Sequence, residues 1–138
     1  MASLSAVRDA LAAQLDTITG LTVHATIPGS VNPPAAVVAP ATGQFLTFDT
    51  TMSRGSDDLA FRVIVVTGRG DDTTAQANLD AYLAGAGAQS VKVALEADQD
   101  LGGTVQYVTV DSVGDYGLHG FGGVDYFGAV FTVTCGAV

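Results

Sequence analysis

Basic residues are scarce in this chain. Five Lys and Arg stand against fourteen Asp and Glu, giving a formal net charge of −9, and Glu96 is the one glutamate among the acids. A protein that grips duplex DNA commonly uses about six to ten phosphate contacts from basic groups. Arg8, Arg54, Arg62, Arg69 and Lys92, scattered along the sequence, do not supply them. The same shortage argues against adhesion to an anionic membrane. Cysteine is scarcer still: with Cys135 alone, no internal disulfide can form, and a reducing site of synthesis is expected. No run approaches the roughly eighteen consecutive apolar residues of a membrane span. The amino terminus also lacks a basic stretch followed by an apolar one, so a soluble protein without a cleaved signal is expected.

What is present is a folding sequence. Of 138 residues, 48% are hydrophobic and 14% charged, the opposite of the balance that disorder requires. One domain of this size buries roughly two thirds of the surface that its unfolded chain exposes. The four prolines, Pro28, Pro33, Pro34 and Pro40, all surround one run of small apolar residues, Ala35 to Ala39. Proline fixes φ and lacks an N–H, so it suits strand starts, edges and loops. A short strand entered through a stiff loop, Thr26 to Pro34, is the expected local structure.

Periodicity supplies the remaining elements. Leu4, Val7, Leu11, Leu15 and Ile18 lie at helical spacing and predict a helix from about Ser5 to Thr19, capped by Ser3 or Ser5 and closed by Gly20. "LTVHA" predicts a short strand. "GQFLTF" and "LAFRVIVVTG" predict a hairpin around the polar stretch "DTTMSRGSDD", too long for a tight turn. Ala75, Leu79, Tyr82 and Leu83 mark a second helix, and Ser90 with Val91, Ala94 and Leu95 a short third one. "GGTVQYVTVDSV" and "GVDYFGAVFTVTCGAV" are two closing strands, with the glycine-rich "GDYGLHGFGG" expected as the connection between them. This order predicts a single α+β domain, residues 1–138, on a mainly antiparallel sheet with helices packed on one face.

The last strand sets Phe127, Ala129, Phe131, Val133 and Cys135 on one face at period two, as a core face should be. The opposite face is also partly apolar: Val124, Tyr126, Gly128 and Val130, beside Ala60, Arg62, Ile64 and Val66 of the earlier strand. A sheet with helices on one side and water on the other alternates more cleanly than this. Either a partner subunit covers that second face, or the third helix or the proline loop folds over it.

Chemistry is thin. His24 and His119 are the only histidines, and neither has His, Cys or Glu at metal-ligand spacing. Cys135 lies on the predicted core face, where a thiol is inert. "GRGDDT" and "GFGGVD" miss the GxGxxG pattern at Thr73 and Asp125, and no phosphate loop is present. The acidic pairs Asp57, Asp58 and Asp71, Asp72 read as caps or solvated loop residues before they read as an ion site. No catalytic residue, metal or cofactor is expected. The mixed-charge loop "SRGSDD" offers Met52 as an adaptable apolar contact and Arg54 as a charged one, an arm suited to reaching a neighbour. A small-molecule module using Gly114 to Gly123, with Tyr116, His119 and Phe121, is the alternative from another class. The same loop serves equally as a contact surface.

In order along the chain, "AVRDALAAQL", "IPGSVNPPAAVVAP", "RGDDTTAQANLDAYLAGAGAQSVKVALEAD", "LGGTVQYVTVDSVGDYG" and "GGVDYFGAVFTV" resemble the tail terminator proteins of long-tailed bacteriophages, in particular those of phages of actinobacteria. The likeness runs nearly end to end and rests on the order of the pieces. It implies a non-enzymatic virion protein: a homohexameric ring at the head-proximal end of the tail tube. There it stops polymerisation of the tube protein, and it presents a surface to a head-completion or connector protein. A head-closure or connector protein is the neighbouring alternative. Pro33 and Pro34 would then stiffen a frame that ring closure needs, with Met52, Arg54, Ile64, Val66, Tyr116, His119, Phe121, Val124, Tyr126 and Val130 expected at subunit or partner contacts. Six copies at −9 each carry −54, so an acidic bore would let the genome pass without adhesion.

Overall fold

A computed structural model of the chain describes residues 4–18, 21–24, 34–40, 46–47, 57–69, 74–84, 90–97, 105–121 and 123–137. The elements run α1 (Leu4–Leu15), β1 (Thr22–His24), β2 (Ala35–Pro40), β3 (Leu46–Thr47), β4 (Asp57–Arg69), α2 (Ala75–Leu83), α3 (Val91–Glu96), β5 (Val105–Phe121) and β6 (Val124–Ala137). They form an α+β fold on one mixed sheet. Its strand order is β1-β2-β4-β6-β5, with β3 pairing β4 off that path. Among the described residues, only β1 and β2 run parallel, and the Thr22 N–H donates to the Pro34 carbonyl (3.0 Å) where that pair begins.

The helices are where the apolar stripes require them. Val7, Leu11 and Leu15 of α1 are fully buried, and Ile18 stays buried in the turn beyond it. The helix ends at Leu15 rather than Thr19, as the chain tightens through Ile18 N to Leu15 O (3.0 Å) and the Thr17 hydroxyl donates to the Gln14 carbonyl (2.7 Å). Ser5 stands inside the helix, so it is not the cap; Ser3 lies outside the described residues. Ser90 is the cap of α3: its Oγ accepts from Val93 N (3.2 Å) and donates to the Ala84 carbonyl beyond the end of α2. One buried hydroxyl thus satisfies two backbone groups at the α2–α3 joint. The Gln14 amide donates to the Ala94 carbonyl (2.8 Å), tying α1 to α3.

All three helices share one core with one face of the sheet. It joins the α1 stripe, Leu79 and Tyr82 of α2, and Val91 and Leu95 of α3 to Leu59, Phe61, Val63 and Val65 of β4 and Ala129, Phe131, Val133 and Cys135 of β6. The alternation in those strands is the reason: every second residue of β4 from Leu59 to Val65 is buried and apolar. Among the described residues, no helix is long and apolar enough to cross a membrane.

The closing strands depart from expectation. The glycine-rich segment Gly114 to Gly123 is not a loop: β5 continues to Phe121 and pairs with β6 until Phe121↔Val124. Extra residues are absorbed by register shifts between Val105 and Tyr107, Val110 and Ser112, and Gly114 and Gly117. Asp115 takes φ 50° within the last of these, a conformation Asp tolerates better than most residues. Pairing continues to Phe121↔Val124, and Gly123 takes φ 80°, a backbone that glycine adopts readily in a tight hairpin link. β4 also starts earlier than expected, at Asp57, so Asp57 and Asp58 are strand residues.

Ser90→Ala removes both hydrogen bonds at the α2–α3 joint. It is expected to cost about 1–2 kcal/mol, read as a lowered midpoint in chemical denaturation with an unchanged slope.

Candidate interaction surfaces

Among the described residues, no three His, Cys, Asp or Glu side chains gather closely enough to hold a metal ion. Cys135 is buried on the core face, and burial pushes its thiol up to about 12, so it stays protonated and unreactive. His24 is half-buried on β1. His119 places Nε2 2.7 Å from the Asp115 carbonyl, across the last bulge of β5. Asp71 and Asp72 lie outside the described residues.

The sheet face turned away from the helices has a polar end and an apolar end. At the polar end, the Thr109 and Thr134 hydroxyls donate to the two carboxylate oxygens of Asp111 (3.2 and 2.6 Å). Tyr107 lies across Gly136, where any Cβ would overlap its ring, and its hydroxyl donates to Asp58 Oδ1 (3.0 Å) on β4. The tyrosine covers backbone that a glycine leaves bare and links three strands. Burial, then the Asp58 bond, raises its pKa above the usual phenol value.

At the apolar end, Ala35, Val37, Val66 and Tyr126 form a second buried cluster, with Ile64 and Val124 packed against it. Val66 is wholly buried, Val130 6% exposed and Tyr126 7% exposed within a single chain. Of the two covers expected for this face, a partner subunit or the chain itself, burial within one chain already withdraws most of the cluster from water. The third helix is not the cover, because α3 packs with α1, α2 and β5 on the helix side. Gly128 sits in the middle of this face. A Cβ there would meet the Val65 carbonyl oxygen, would approach Val66 Cγ1 to 2.8 Å and would lie 3.3 Å from the His119 ring.

The other expected contact residues scatter. Met52, Arg54 and Pro33 lie outside the described residues, and of Phe121 only the backbone is described. Pro34 is half-buried at the entry to β2. Tyr116 turns to the helix side, meeting the Phe127 ring edge-on (centroids 5.3 Å apart, 84°) while its hydroxyl donates to Asp80 Oδ1 of α2 (2.8 Å). His119 pairs with Tyr126 and lies on the opposite face, near Val66. Tyr116 and His119 therefore diverge, and they do not line one small-molecule pocket.

A feature that sequence reasoning missed is the edge formed by β5. Every residue from Asp111 to Tyr116 is exposed, and Val113 (40%), Tyr116 (42%) and Leu118 (59%) are large apolar side chains facing water. Glu96, at the end of α3, guards the start of this stretch: Oε2 accepts from the Val110 N–H (3.1 Å) while Oε1 pairs with Lys92. The Lys92 hydrogen bond, then the Val110 one, holds the Glu96 carboxyl below the usual glutamate range. The signal available in sequence was the tyrosine and leucine flanking glycines in "DYGLHG", an apolar pair with too few neighbours to be covered. Compared with known proteins, the chain matches no family model, and no curated protein is significantly similar to it.

Gly128→Ala forces the new methyl against the β4 backbone and is expected to destabilise the fold by about 1–3 kcal/mol, measured by thermal or urea unfolding. Glu96→Gln removes a charged acceptor at a mostly solvated site, and a loss of about 1 kcal/mol or less is expected near neutral pH. Because the folded carboxyl titrates lower than the unfolded one, its contribution is complete above the ordinary glutamate range. It is lost as pH falls through the depressed folded value. The stability difference between Glu96→Gln and the parent chain should shrink over that acid interval.

Proposed function

We propose that this chain is a structural virion protein: a homohexameric ring that caps the head-proximal end of a long-tailed phage's tail tube, ends tube polymerisation and joins the tail to a head-completion or connector protein. The observation that carries the reading is the order of the resembling segments. Each of them coincides with one element or pair of elements, namely α1, β2 with its proline entry, α2 with α3, β5 and β6, and these elements form one α+β sheet.

Two further observations support a structural role over a chemical one. The one thiol is sealed, and Asp58, Asp80 and Asp111 accept hydrogen bonds from hydroxyls. Ring contacts in this reading draw on the arm around Met52 and Arg54, on Pro33 and Pro34, and on the half-buried Ile64 and Val124 at the rim of the second cluster. The net charge of −9 per copy keeps the genome from adhering as it passes.

Negative-stain microscopy of the purified protein, alone and mixed with tail tubes, tests this. Closed rings and tubes capped at one end are expected. Binding to filled heads in place of tubes would transfer the chain to the connector class, and monomers that leave tube growth unchanged would end the proposal. Replacing Pro33 and Pro34 together by glycine is expected to weaken ring assembly more than it lowers the melting temperature.

A further inference from the structure

β5 is an edge strand of 17 residues, and an edge of that length is a pairing template unless something interrupts it. Besides the register shift between Val105 and Tyr107, three interruptions follow along the strand. Glu96 occupies the Val110 N–H, and register shifts at Asp111 and at Asp115–Tyr116 break the ladder on either side of Ser112–Gly114. Beyond the last shift the pairing runs unbroken from Gly117↔Gly128 to Phe121↔Val124. Among the described residues, no strand pairs with the outer edge of this window. A Cβ at Gly117 would meet nothing within 4 Å, so the sheet face beside Leu118 has room there for an incoming side chain.

The window has a definite chemistry. Leu118, the most exposed of the large apolar side chains, stands within it on the helix side, opposite Phe127. Asp115 lies at one end, and Asp125 faces Gly120 at the other, its Oδ1 3.4 Å from where a Cβ would be. β5 and β6 together carry three aspartates and no lysine or arginine. A second copy on this edge would bring one acidic hairpin, without a basic residue, against another. Charge complementarity selects a basic occupant instead.

We propose that the outer edge of Gly117–Phe121 docks a short extended segment of a different protein by strand addition, one that alternates apolar residues with Lys or Arg. Main-chain hydrogen bonds to the window supply affinity, an apolar side chain packs beside Leu118, and flanking basic side chains meet Asp115 and Asp125. This inference stands on the edge geometry of one chain and does not depend on ring formation.

The probe is a short peptide in which valine and threonine alternate with lysine. Controls are the same peptide with glutamate for lysine, and with alternate amides N-methylated. Binding is followed by fluorescence anisotropy and by amide hydrogen exchange read by NMR. The lysine peptide is expected to bind, to slow exchange within 117–121 and to weaken as salt rises, while both controls fail. Asp115→Asn, which suits the positive φ at that position, and Asp125→Asn should each weaken binding about two- to fivefold. Leu118→Lys should abolish it with an unchanged melting temperature. Equal binding of the glutamate peptide, or protection confined to other amides, overturns the proposal. Protection of 117–121 by self-association without peptide overturns it in favour of a second copy. Because the readout is local to the edge, rings absent from micrographs with a positive peptide result would refute the ring alone.

Discussion

The pairing of β4 with β6 is the constraint on which the other layers depend. It runs from Asp57↔Ala137 to Arg69↔Tyr126, with a single register shift between Val66 and Gly68. Since side chains alternate across a strand, this one register decides which residues meet the helices and which meet the second cluster. A slip by one position would turn either Phe61 and Val63 or Phe131 and Val133 away from the core. Gly128 marks how tightly the pair is set, because at that point β4 leaves no room for even a methyl group. β2 then adds to one side of β4 and β5 to one side of β6.

Much of this was legible in sequence where the signal is local. The α1 stripe, the Ser90 cap and the Phe127 to Cys135 alternation each depend on neighbours a few residues apart, and each is found as expected. The β5–β6 hairpin was misread for a physical reason. Glycine density predicts a loop, whereas Gly114, Gly117 and Gly120 sit in paired strand and the bulges between them take up the surplus residues. The Gly-Gly pair between Phe121 and Val124 was visible in the sequence and was obscured by its glycine neighbours.

Contacts between distant positions were not legible at all. Glu96 reaches the Val110 N–H, Tyr116 reaches Asp80, and Tyr107 crosses Gly136 to Asp58. Nothing in composition or period announces that a helix-terminal carboxylate will close one donor of a strand edge. The second face carries the same lesson. Its apolar residues were correctly identified, but whether water reaches Val66 depends on how the whole chain closes around it. The sequence could name the residues of that face and not their cover.

The buried thiol has a practical corollary. Cys135 lies on β6, between Leu59 on β4 and Val108 on β5, within the core that the helices cover, so a reagent reaches it only when that packing opens. The rate at which an alkylating agent labels this chain therefore counts large-scale openings rather than surface accidents. A lone thiol, silent in the intact molecule, becomes a built-in clock for the loss of the fold.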